Sequence, residues 1–127
     1  MNKLWIAVVA LTLSAGYAAA HEGHHDEKAE AAAATTLSGE LVDLGCYLGH
    51  GAAGEKHAKC AKTCVKDGQP LGLVTKAGEL YLVVGSHSAE KAFASAKELA
   101  GENAKVTGAL TKKGGLQAIV VEKAEKL

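Results

Sequence analysis

Apolar residues recur along this chain in two rhythms. In LSGELVDLGC (residues 37–46) they alternate. Val42, Leu44 and Cys46 fall on one face and Leu41 and Asp43 on the other, the period of a β-strand. Gly39 and Gly45 are placed to mark a bulge and the strand's end. The alternation returns in LGLVTK (71–76) and ELYLVV (79–84), joined by Ala77-Gly78 as a tight turn, with Leu80, Leu82 and Val84 sharing a face. It returns again in NAKVTGALT (103–111), with Val106 and Leu110 inward, and in LQAIVVEKA (116–124), where Gly114-Gly115 turns the chain. Two other stretches follow a helical period. In SAEKAFASAKELAG, Ala89, Ala92, Phe93, Ala96, Leu99 and Ala100 make a small-residue stripe suited to close packing on a sheet, with Ser88 as cap and Gly101 as stop. EKHAKCAKTCVK (55–66) predicts a second helix, ended by Asp67-Gly68 before the only proline, Pro70.

With the segment 46–68 set aside as an insertion, the order is three strands, one helix, two strands. That order predicts a mainly β, α+β domain over residues 37–127. It matches the five-stranded Greek-key barrel called the OB-fold, with a helix between strands 3 and 4. The closing stretch VTGALTKKGGLQAIVVEKAEK resembles the last two strands of bacterial OB-fold modules, and the resemblance covers roughly residues 37–126. The insert DLGCYLGHGAAGEKHAKCAKTCVKDGQPLGL resembles a segment of small exported bacterial proteins of no settled function. The resemblance implies an exported OB-like domain and leaves its chemistry to the residues. OB-folds commonly bind oligonucleotides or sugars on the barrel face, but fold alone assigns neither.

The insertion carries the chemistry. It holds all three cysteines, and its ligand-type residues are Cys46, His57, Cys60 and Cys64. On a helix, His57, Cys60 and Cys64 stand at i, i+3 and i+7, within about 60° of one face at ~100° per residue. Cys46 reaches that face from the end of the first strand. Three thiolates and one imidazole make a complete tetrahedral set for Zn or Cu. The competing reading is a disulfide from Cys46 to Cys60 or Cys64, stapling a small domain and leaving one thiol over, or a thiol-redox centre without metal. His50, in the glycine-rich stretch between Cys46 and His57, is either a further donor, a group orienting a ligand, or a solvated loop residue. His87 reads as a turn residue. Lys56, Lys59, Lys62 and Lys66 decorate the same helix, and their field is expected to lower nearby thiol pKa values. Asp43 is the only carboxylate close to the cluster in sequence.

The first residues change the compartment. Lys3, an apolar run from Leu4 to Leu13 and small residues at Ala18 and Ala20 predict a secretory signal peptide over 1–20, too short in its apolar part to span a membrane. Cleavage after Ala20 leaves 107 of the 127 residues and opens a polar, alanine-rich arm (21–36) on His21. His21, His24 and His25 then form a second, weaker site for Cu(II), Zn(II) or Ni(II). The expected location is periplasmic or secreted, where an odd number of cysteines favours metal over complete pairing.

Composition narrows the function further. Removing Lys3 leaves 13 basic residues, all lysine, against 14 acidic ones, and aromatics make up 4% of the chain. A neutral, arginine-free, aromatic-poor chain lacks the basic patch and stacking rings of a nucleic-acid binder. No nucleophile elbow, phosphate loop or dinucleotide fingerprint is present. The expected function is therefore metal storage, delivery or tolerance, with a metal ion and another periplasmic protein as partners. The alternative is a disulfide-stapled or thiol-redox interaction module. Enzymatic use of the metal would need an open coordination position and has little support.

Overall fold

The computed structural model describes residues 33–127. The expected signal peptide and the secondary ligands His21, His24 and His25 lie outside the described residues. Strand β1 (Thr35–Asp43) is followed by helix α1 (Leu44–His50), a 3-10 turn at Glu55–His57 and helix α2 (Ala58–Lys66). Then come β2 (Leu71–Thr75), β3 (Leu80–Val84), helix α3 (Glu90–Glu98), β4 (Asn103–Lys113) and β5 (Leu116–Lys126). The described residues are mainly β, with one mixed sheet of five strands.

The strand order is β1-β2-β3-β5-β4, and it closes on itself. β1 serves two neighbours: Thr35 to Glu40 pair with β4, and Gly39 to Asp43 pair with β2. That double duty explains Gly39. A Cβ there would lie 2.2 Å from the Val74 carbonyl oxygen, so only glycine lets β2 come so close. No bulge forms at Gly39; the register shift falls between β4 and β5 instead, where Thr107 and Gly108 pair with Lys123 and Val121 and Glu122 of β5 is left over. β3 and β5 run parallel through Leu82 to Val84 and Ala118 to Val120, and the other pairings are antiparallel.

The predicted Gly-Gly turn forms, while the expected two-residue Ala77-Gly78 turn is a four-residue link over 76–79, in which the Gly78 N–H donates to the Thr75 carbonyl at 2.9 Å. Gly114 and Gly115, both at positive φ, link β4 to β5, and Gly78 (φ 81°) lies in the link from β2 to β3. The arm expected to run to Thr36 ends earlier, because Thr35 and Thr36 already pair with Gly108 and Thr107. One further local expectation is corrected. Ser88 does not cap α3; its hydroxyl pairs with that of Ser86 at 3.1 Å, and Ala89 occupies the cap without a side-chain bond. In β3 the fully covered positions are Tyr81 and Val83, while Leu80, Leu82 and Val84 are half-buried. Leu80, Leu82 and Val84 share a face as expected, and burial along β3 alternates strictly. Helix α3 packs against β5, and its Ala96 joins the same core as Tyr81 and Val83.

The core joins Leu41, Leu71, Leu73, Val106, Ile119 and Val121 of the sheet to Ala96 and Ala100 around α3 and to Ala61 and Val65 of α2. Truncating a fully buried leucine such as Leu73 costs about 2–5 kcal/mol. Because α2 contributes to this core, the helix that carries Cys60 and Cys64 is fixed to the sheet by the neighbouring face, about 100° around the helix axis.

Candidate metal centre

The insertion begins where β1 stops, and β1 stops earlier than its sequence suggests. The alternation of Val42, Leu44 and Cys46 is not a strand face. After Asp43 the chain turns into α1, so Cys46 stands on a helix rather than at a strand end. The physical reason is Asp43 itself. It takes an extended conformation (φ −74°, ψ 125°) and its Oδ1 accepts the Cys46 backbone N–H at 3.1 Å, a helix N-cap. Asp43 is 1% exposed. The Leu44 N–H donates to the Pro70 carbonyl at 2.9 Å, which ties the start of the insertion to its end.

Helix α1 takes Gly49 and His50 out of the expected glycine loop and ends on Gly51 at φ 71°, whose N–H returns to the Tyr47 carbonyl at 2.8 Å. The chain then folds back. The Gly54 N–H donates to Glu40 on β1. The His57 N–H donates to the Gly54 carbonyl at 2.9 Å, closing the 3-10 turn. His57 therefore sits at the N-cap of α2, one residue before the α-helix expected to include it, while Cys60 and Cys64 lie one turn apart within it. The start of α2 rests against Gly101, where a Cβ would come 2.3 Å from the Cα of Ala58.

These local structures bring all four sequence-designated residues together. Donor atoms of Cys46, His57 and Cys60 lie within 4.8 Å of one another, and so do those of Asp43, Cys46 and Cys64. The Cys60 and Cys64 Sγ atoms are 3.9 Å apart. The three sulfurs thus form a triangle, with an imidazole nitrogen beside its Cys46–Cys60 edge and a carboxylate oxygen beside its Cys46–Cys64 edge. Tetrahedral zinc with bonds of about 2.3 Å to sulfur and about 2.0–2.1 Å to nitrogen spaces its donors roughly 3.5–3.8 Å apart. His57 and Cys64 belong to different groups, so one ion that takes all four residues requires their side chains to move.

Two atoms of these residues have nothing to bind. His57 Nε2 and Asp43 Oδ2 are both buried and have no hydrogen-bond partner among the described residues. A buried polar atom left without a partner costs about 1–3 kcal/mol, and a charged one more, so each calls for a ligand. Asp43 is the residue that sequence reasoning left outside the donor set. Its place just before Cys46 was the available signal, but its burial and its role as a cap appear only in the fold.

The thiols are not activated in the way the lysines suggest. The Cys46 thiol is pushed up to about 12, first by its hydrogen bond to the Asp43 carboxylate, then by desolvation and the negative charge of Asp43. The Cys64 thiol is raised as well, chiefly by its hydrogen bond with Cys60. Two of the four lysines are held by other partners: Lys62 pairs with Glu102 at 2.5 Å and Lys66 with Glu98 at 3.6 Å. Without a cation the cluster holds protons, and a metal ion binds by displacing them.

All three cysteines are thiols, with no disulfide among the described residues. The His50 ring lies edge-on to the His57 ring, centroids 6.4 Å apart, so it buttresses His57 rather than joining either donor group. His87 is exposed in a turn before α3. Compared with protein-family models, curated proteins and solved structures, the chain matches none of them. The case for function therefore rests on the residues of the centre. Among the described residues no helix is long and apolar enough to cross a membrane.

Proposed function

We propose that this is an exported transition-metal-binding protein that holds Zn or Cu through Cys46, His57, Cys60 and Cys64 and serves in metal storage, delivery or tolerance. The observation that carries the reading is the convergence of Cys46, His57 and Cys60 donor atoms within 4.8 Å, with Cys64 Sγ 3.9 Å from Cys60. The buried, unpartnered His57 Nε2 supports it, because an imidazole nitrogen among thiols is a metal ligand in wait. On this reading residues 1–20 direct export and the protein works in the periplasm or outside the cell. His21, His24 and His25 collect ions, and another periplasmic protein exchanges metal with the centre. The strand order and the helix between β3 and β4 support placing the domain in the OB class.

Metal analysis and intact mass of protein isolated from the periplasm test the reading. The expected result is bound Zn or Cu, unbridged cysteines and a melting temperature that drops on chelation. Replacement of His57 by Ala should lower both metal content and stability. If both are unchanged, His57 is not a ligand and the reading fails.

A second reading is a thiol-disulfide module. The 3.9 Å approach of Cys60 and Cys64 Sγ favours it, although a bond within one helical turn is geometrically tight. It predicts a mass lower by two hydrogens, sensitivity to reductant and indifference to chelator.

A further inference from the structure

The centre offers five donor groups, one more than a single tetrahedral ion accepts. The fifth is Asp43, a carboxylate 1% exposed whose Oδ2 has no partner among the described residues. Its place is specific, since it shares Cys46 and Cys64 with the sulfur triangle while His57 shares Cys46 and Cys60. Cys46 is common to both groups. Three thiolates and one carboxylate carry a formal charge of about −4 when deprotonated. One divalent ion would leave two negative charges uncompensated beside a carboxylate that is out of water, an expensive arrangement. Two divalent ions neutralise the set.

We propose that Asp43, Cys46, His57, Cys60 and Cys64 form a two-ion centre for zinc-class divalent cations, bridged by the Cys46 thiolate. One ion takes Cys46, His57 and Cys60, and the other takes Asp43, Cys46 and Cys64. Water completes each tetrahedron. Each thiol that binds gives its proton to solvent, and the Cys46 sulfur uses a separate lone pair for each ion. The mixed sulfur, nitrogen and oxygen set suits a borderline divalent ion. Monovalent copper would keep to the sulfurs and leave the carboxylate unused. This inference rests on the metal-binding reading above and specifies its stoichiometry and its ion.

Native mass spectrometry of the reduced, zinc-loaded chain, with His21, His24 and His25 replaced by alanine so that the arm adds no ions, tests it. The expected count is two zinc ions per chain, one in Asp43→Asn, one in His57→Ala and none in Cys46→Ser. Asparagine keeps the helix cap, so Asp43→Asn is expected to fold. Should it not, X-ray absorption of the zinc-loaded parent decides. A zinc–zinc vector at roughly 3.5–4 Å supports the bridged pair, and its absence overturns it. A single zinc in the parent, unaffected by Asp43→Asn, overturns the two-ion centre and leaves the metal-binding reading standing. No zinc at all in the parent overturns both.

Discussion

Asp43 grips Cys46 at two points: its Oδ1 accepts the backbone N–H at 3.1 Å, and the same carboxylate is hydrogen-bonded to the thiol. One side chain thereby ends β1, starts α1 and sets the proton affinity of the central sulfur. The two roles separate by substitution. Asp43→Ala removes the cap and should destabilise the metal-free, reduced protein by about 1 kcal/mol through the cap alone. Asp43→Asn should lose less. Urea midpoints of the two variants check the difference, and equal midpoints would show that the cap contributes nothing.

The thiol contact makes a reactivity prediction. Cys46 titrates at about 12 against an ordinary 9.0, so at pH 8 its thiolate fraction is on the order of 10⁻⁴. In reduced, metal-free protein, iodoacetamide should modify exposed Cys60 first and Cys46 last. Asp43→Asn should speed Cys46 by roughly tenfold or more. Peptide mapping of partly alkylated protein reads the order. Because the folded value is raised, the stabilisation from this contact is fully present below pH 9.0 and fades as pH climbs towards about 12.

Glu102 governs the acid side. Lys126 and then Lys62 hold its carboxyl down at about 2, from an ordinary 4.5. A depressed carboxylate stabilises the fold above its unfolded value, so this contribution is present above pH 4.5 and is lost as pH falls towards about 2. Glu102→Gln should lower the melting temperature at pH 7 and flatten its decline across that window. A variant as acid-sensitive as the parent would show that Glu102 is not responsible.

Gly101 links the barrel to the centre at a distance from any donor. It has φ 80°, its N–H reaches the Leu41 carbonyl, and a Cβ would strike Ala58 at the start of α2. Gly101→Ala should cost more than about 1 kcal/mol and displace His57, weakening zinc binding although no ligand is changed. Zinc competition titration beside thermal melts checks both effects. Unaltered affinity would mean that the α2 terminus yields without moving His57.

The strands were legible because alternating runs and Gly-Gly or Ala-Gly turns are local signals, and β2 to β5 fall close to where the pattern of Leu71, Leu80, Val106 and Ile119 puts them. The end of β1 was not legible. Leu44 and Cys46 keep the strand period, and the Asp43 cap, together with the long-range bond from the Leu44 N–H to the Pro70 carbonyl, turns them into helix. The donors Cys46, His57, Cys60 and Cys64 could be named from spacing, since helical periodicity carries three of them. Asp43 could not, because burial of a carboxylate depends on what covers it. The lysine field misled for the same reason: Lys62 and Lys66 find Glu102 and Glu98, which lie far along the chain.

The parallel seam between β3 and β5 has a consequence for encounters with other proteins. It turns an open sheet into a ring, leaving among the described residues the ends of β4 and β5, at Ala109 to Lys113 and Val121 to Lys126, as the stretches with only one strand neighbour. A visiting strand, or one from a second copy of this chain, finds its amides and carbonyls there and not along the sides of the ring.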